Sequence, residues 1–209
     1  MRIWSAIFLF IFLSYPVLSS ENAVKGFIDL SSFNFREKNQ SVSLDGEWEF
    51  YWQKLVPPAD FSGVNPPKPD LYSPFPLTWE KIPDQKFPAK GYGTYRLRIR
   101  LNSLDTFVFY VYGFGTNYRM YVNGEKLAES GIPSENQETS VPRMVPSVFA
   151  YTPRSADLDI TVHVSNFHYR SGGAWYPIRI GSQTVIRNEI YYSLFLDILI
   201  FGSVFIMGI

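Results

Sequence analysis

The residues best equipped for chemistry crowd into Asn166 to Tyr176, where Asn166, His168, Tyr169, Arg170, Trp175 and Tyr176 surround Gly172-Gly173. Such a mix suits a polar ring-shaped ligand. An aromatic ring covers the apolar C–H face of a pyranose, while amide and guanidinium groups form paired hydrogen bonds to neighbouring hydroxyls. Trp79 and Tyr118 lie beside turns and could complete the wall of that cleft. The expected ligand-binding set is therefore Asn166, His168, Arg170, Trp175, Tyr118 and Trp79. Each aromatic also has a plainer reading: Trp175 and Tyr176 could open a strand and fill a core, and Trp79 and Tyr118 could plug it.

Other constellations are poorer. Glu47 and Glu49 flank Trp48 on one face of a strand, where a glycosidase acid and nucleophile can be imagined. Strand positions two apart stand about 7 Å apart, a loose match to the retaining separation, and a solvated edge explains them equally well. Arg96, Arg98 and Arg100 could line an anionic groove, but their alternation reads as a solvated strand face. Cysteine is absent, which removes disulfides, thiolate zinc sites, a cysteine nucleophile and a lipidated cysteine. His168 has no histidine or carboxylate at ligand spacing, so neither a metal nor a cofactor is expected. The 19 basic residues equal the 19 acidic ones, so no net field draws the chain to nucleic acid. The residues point to binding, with no catalytic group.

These side chains need a scaffold, and the chain between its two apolar ends reads as all-β. Aromatic residues make up 18%, with 15 prolines and 14 glycines, a composition of short strands and ordered loops. In Thr94 to Leu101, Tyr95, Leu97, Ile99 and Leu101 share one face and the three arginines the other. Asp157 to Val164 repeats the pattern, with Leu158, Ile160, Val162 and Val164 inward and Asp157, Asp159, Thr161 and His163 outward, making His163 an expected surface residue. Phe107 to Tyr112 is apolar throughout, as in a strand covered on both faces. Asn123-Gly124 supplies a type I′ hairpin turn between Tyr118 to Val122 and Glu125 to Ala128. Further strands are expected at Leu44 to Trp52, where Trp48, Phe50 and Trp52 pack, and at Ser147 to Thr152 and Trp175 to Ile180. Proline-rich Val56 to Pro76 cannot enter a sheet interior and must be an ordered loop or an edge-covering excursion. Some eight strands with long crossovers predict a jelly-roll β-sandwich.

The ends carry a different signal. Residues 1–20 combine Arg2, the apolar run Ile7 to Leu13, Pro16 and small Ser19 and Ser20, which reads as a signal peptide. Tyr191 to Ile209 is apolar on every face with the single charge of Asp197, which reads as a transmembrane helix. A carboxylate there costs about 2.5 to 3.5 kcal/mol on insertion scales, which suggests packing against further helices. The expected organisation is a leader at 1–20, an extracytoplasmic (periplasmic or extracellular) domain at 21–188 and a first membrane helix at 189–209 of a longer polytopic protein.

Taken in order, SLDGEWEFYW at Ser43 to Trp52, PLTW at Pro76 to Trp79, GYGTYRLRIRL at Gly91 to Leu101 and YVNGEKL at Tyr121 to Leu127 resemble the sugar-binding domain of family 2 glycoside hydrolases and galactose-binding-like sandwiches. With SNFHYRSGGAWYPIRIG at Ser165 to Gly181 abutting the apolar tail, the chain looks closer still to the second type of extracellular domain of bacterial seven-transmembrane receptors with diverse intracellular signalling modules. That resemblance implies a carbohydrate-binding jelly roll that senses a small ligand, a membrane partner through the C-terminal helix, and an output domain beyond. An interaction or dimerisation module without a small ligand is the alternative, and a homodimer is compatible with either.

Overall fold

The computed structural model describes residues 22–207. The expected leader at Met1 to Ser20 lies outside them, as do Gly208 and Ile209 at the end of the expected membrane span. From the N-terminal side come β1 (Phe27–Leu30), a single helical turn α1 (Phe35–Lys38), β2 (Val42–Ser43), β3 (Gly46–Trp52), β4 (Leu71–Phe75) and the long β5 (Gly91–Leu101). There follow β6 (Phe107–Val111), β7 (Phe114–Gly115), β8 (Asn117–Val122), β9 (Glu125–Ser130), β10 (Ser147–Tyr151), β11 (Asp157–Asn166), β12 (Gly173–Ala174) and β13 (Ile178–Gly181). The final element is α2 (Gln183–Met207).

The strands form a two-sheet sandwich, with β12 and β7 paired separately in a small two-stranded sheet. One sheet runs β4-β3-β5-β11-β8-β9, with β1 pairing in parallel beside β5. The other runs β10-β6-β13-β2. Neighbours such as β5 and β11 are remote in sequence, so the chain crosses between sheets where a meander barrel would pair consecutive strands. The inward residues of β5 and β11 behave as their alternation requires: Tyr95, Leu97, Ile99, Leu158, Ile160, Val162 and Val164 are all buried. Aromatic volume fills the space between sheets. Trp48 stacks on Phe75 at 4.2 Å and donates its indole N–H to Leu44 O at 2.9 Å, which satisfies the one polar atom it takes into the core. The β8–β9 hairpin turns at Asn123 and Gly124, with φ of 49° and 82°, the positive pair that a type I′ turn demands.

Three expectations are corrected here. His163 and Thr161 are buried, and Glu49 is 6% exposed, although alternation put all three in water. The proline-rich segment folds back over this outer sheet face and covers it. That segment also contributes β4, whose Pro74 is tolerated because β4 is an edge strand needing to donate on one side only. Trp175 to Ile180 is no continuous strand: β12 and β13 are separated at Trp175 to Pro177.

Antiparallel registers define two ends. At one, β11 finishes at Asn166 against Gly91, and β8 begins at Asn117 against Ser165; this is the loop end. At the other, β13 finishes at Gly181 against Val108 and gives way to α2 after Ser182 alone. Val185 and Ile186 bury the first turn of α2 on the sandwich. Glu189 then clasps it: one carboxylate oxygen accepts from Ser41 Oγ at 2.6 Å and the other from Arg179 Nη1 at 2.8 Å. Beyond Ile190 the side chains up to Val204 are exposed, large apolar ones among them. Among the described residues no helix is long and apolar enough to cross a membrane.

Candidate functional site

At the loop end, the segment from Asn166 to Tyr176 is latched from below. Asn166, fully buried, donates from Nδ2 to Ala89 O at 2.8 Å and Tyr169 O at 2.9 Å, and its Oδ1 accepts from Tyr169 N at 3.0 Å. This closes a tight turn. Glu80 accepts from the Ser171 hydroxyl and from Gly172 N. Gly172 is required by close approach, because a Cβ there would lie 2.4 Å from Ala89 O and from the Trp79 ring. Trp79 is itself fully buried and donates to Tyr95 O–H at 2.9 Å, while Tyr118 is 1% exposed and donates to Ser147 Oγ at 2.7 Å.

The predicted set is thereby split. Trp79, Tyr118 and Asn166 are internal supports and present nothing to solvent. His168 and Arg170 are exposed, with the His168 ring 3.3 Å from Ser140 O. Trp175 is half-buried against Tyr169, ring centroids 5.1 Å apart, and Tyr176 packs on Tyr112 at 4.3 Å. The structure brings His168, Arg170, Tyr169 and Tyr176 to one exposed end, with the buried three beneath.

The proline-rich segment builds a second feature that alternation concealed. Arg96 is its keystone. Its Nε donates to both Asp159 oxygens at 3.0 Å, Nη1 donates to Glu49 Oε2 at 3.2 Å, and the guanidinium lies 4.2 Å from the Phe61 ring centroid. Burial opposes the charge on Arg96, but Asp159 and Glu49 outweigh it and hold its pKa above the ordinary value. Tyr51 donates to Glu49 Oε2 at 2.8 Å; burial and then that carboxylate push the phenol's pKa up. Val56 N donates to Thr94 Oγ1 at 2.9 Å, and His163 Nε2 lies 2.7 Å from Val56 O. Burial lowers the His163 pKa despite that carbonyl, with the charge of Arg119 adding to the effect. Arg98, Arg100 and Asp157 complete a face whose charges are paired. Glu49 Oε2 and Asp159 both accept from one guanidinium, and Glu47, the other carboxylate of the Glu47 and Glu49 pair, accepts from Lys25 N at 3.1 Å.

Where this covering segment meets the loop after β9, a cleft of about 690 Å³ opens at the loop end, bordered by Gln53, Lys54, Asp60, Asn65 and Glu135. The β9–β10 loop is held by a buried knot in which Asn117 Nδ2 donates to Ser140 Oγ at 2.9 Å and Ser165 Oγ donates to Asn117 Oδ1 at 2.7 Å. Amide, ammonium and carboxylate groups share this open, shallow cleft with Leu55, Val56, Ala59, Val64 and Pro67. Sequence reading passed over these five residues because each is an ordinary loop polar residue. The one signal was Val56 to Pro76 itself, an ordered excursion too rich in proline to be a flexible spacer.

No family model matches the chain, and no curated protein matches it. Solved structures do. A β-glucuronidase of Ruminococcus gnavus in complex with uronic deoxynojirimycin aligns over 68% of this chain and 28% of its own, with a TM-score of 0.51 and 12% identity. A β-glucuronidase of Bacteroides uniformis aligns over 68% of this chain and 17% of its own, at TM-score 0.50 and 17% identity. One from an uncultured Clostridium sp. covers 69% and 29%, at 0.50 and 14%. The likeness is one of fold. The chain shares a β-sandwich with part of enzymes that are far longer, and the distant resemblance to family 2 glycoside hydrolases is met at that level.

Proposed function

We propose that this chain is the non-catalytic, saccharide-binding sandwich of a membrane signalling receptor, exposed outside the cytoplasm and joined to the bilayer through α2. One observation carries the reading: the polar cleft and the exposed rings lie at the loop end, whereas α2 leaves from the opposite end with a single residue between it and β13. The Glu189 clasp removes slack from that joint. The exposed apolar side chains of Leu194, Ile198, Phe201 and Val204 need cover, and a bilayer supplies it. The resemblance to the second type of seven-transmembrane receptor ectodomain has the same layout. Ligand would act by population shift, moving the signalling equilibrium only by its difference in affinity between two arrangements of sandwich and helix. Within the ligand site, Gln53, Asn65, Asp60 and Glu135 bond hydroxyls, with Arg170, His168 and the Tyr169 and Tyr176 rings at the same end.

Thermal-shift screening of the full chain in detergent against neutral and acidic saccharides tests this reading, since a specific ligand stabilises by mass action. A hit that is lost in Asp60→Ala and Glu135→Ala places it in the cleft. A hit lost in Arg170→Ala and Trp175→Ala places it on the latched loop. The solvent-exposed Tyr112–Tyr176 pair and Val148 favour one second reading, an assembly module. Absence of any stabilising saccharide, with a dimer in sedimentation that Tyr176→Ala dissociates, would replace the proposal with that one.

A further inference from the structure

Where α2 leaves the sandwich, its first turns face the second sheet. A groove of about 410 Å³ runs between them, floored by Val108, Val148 and Ala150 and walled by Ile186, Ile190 and Tyr191. Its lining is apolar except at the rim, where Gln183 and Arg187 stand. Arg187 is exposed and makes no ion pair among the described residues, unlike Arg179 one strand away, which is paired with Glu189. Steps of four and three residues along α2 lead from Arg187 to Tyr191, Leu194, Ile198 and Phe201. The face that walls the groove thus continues as an exposed apolar stripe, on a helix whose other faces are also largely apolar beyond Ile190.

We infer that this groove is a lipid site that takes one anionic phospholipid: Arg187 holds the phosphate, the groove takes the upper part of an acyl chain, and the stripe guides the rest. The proposal rests on the reading that α2 enters a bilayer. Charge complementarity selects the occupant. A cation at the mouth of an apolar channel matches an amphiphile with an anionic head, whereas a second copy of this chain would bring its own Arg187 to the same rim across a two-fold axis. The interfacial Tyr191, beside the cation, is the residue type that sits at headgroup level. A docked chain would fill the joint between sandwich and helix, coupling lipid composition to the geometry through which the receptor signals.

The test uses the full chain. Flotation with phosphatidylcholine vesicles comes first; failure to float sinks the membrane reading and the lipid site with it. The floating protein is then placed in nanodiscs of equal phosphatidylglycerol and phosphatidylcholine, and retained lipid is read by native mass spectrometry. The expected result is a roughly fivefold preference for phosphatidylglycerol, the equivalent of one basic contact. Arg187→Gln should abolish the preference while some lipid stays bound. Ala150→Trp, or Val148→Trp should that variant misfold, should block retention, both positions being solvent-facing on the edge strand β10. Inorganic phosphate should not displace the lipid. Floating protein that retains no lipid, shows no headgroup preference, or loses a dimer instead of a lipid in Ala150→Trp overturns the lipid site and leaves the membrane reading standing.

Discussion

Replacing Arg96 with methionine should show how far the sandwich depends on the cover over its outer face. Methionine keeps most of the apolar stem and removes the guanidinium. The Arg96 side chain is 12% exposed and Glu49 8%, so Glu49 would be left buried with the Tyr51 hydroxyl and Arg98, whose Nη2 is 3.6 Å away and outside hydrogen-bond range. Removing one partner of a buried pair costs about 3 to 5 kcal/mol, and a cation over an aromatic ring contributes about 1 kcal/mol more. Asp159, at 33% exposure, can regain water, which pulls the total toward the lower end. We expect a loss of about 3 kcal/mol, or about 6 to 12 °C in Tm for a domain of this size. The readout is thermal unfolding followed by tryptophan fluorescence, with limited proteolysis of the covering segment, which should become susceptible between Val56 and Asp70. Glu49→Gln in the same chain should restore part of the loss, because it neutralises the stranded charge. A loss below about 1 kcal/mol, or no coupling in the double-mutant cycle, would refute Arg96 as keystone.

His163 gives a pH signature. Its folded-state pKa is depressed, so below its unfolded value of about 6.5 the unfolded chain takes up the proton first and stability falls with pH. The chain should lose Tm between pH 7.5 and 5.5 by more than a His163→Gln variant, which keeps a donor for Val56 O; equal slopes would assign the dependence elsewhere. At Gly172, alanine must displace the Ala89 carbonyl or the Trp79 ring, an overpacking cost of about 1 to 3 kcal/mol measurable by denaturant unfolding. An unchanged midpoint would mean that the loop is not seated on Trp79 in solution.

The inward half of the sandwich was legible because alternation reports one partner, the opposing sheet, and β5 and β11 meet it with residues at the expected period. The hairpin at Asn123-Gly124 was legible because its backbone demand is local. The outward half was not. Alternation cannot say what lies over a sheet, and Glu49, Arg96, Thr161 and His163 look wet until Val56, Phe61 and their neighbours come back from far along the chain to cover them. The candidate ligand residues meet the same limit. Asn166, Trp79 and Tyr118 have the chemistry of ligand residues but spend it on the protein's own backbone and side chains, a choice made by tertiary contacts that spacing does not encode.

The length of β11 sets a height. Its ten residues run from the end where α2 starts to the loop end, and at about 3.3 Å per residue the strand spans roughly 30 Å. Under the proposed membrane reading, a domain whose strands stood along the bilayer normal would carry its cleft clear of the lipid headgroups and beyond the reach of their screened charge, about 8 Å at physiological salt. On the proposed function, a saccharide would then reach the cleft from the side facing away from the bilayer.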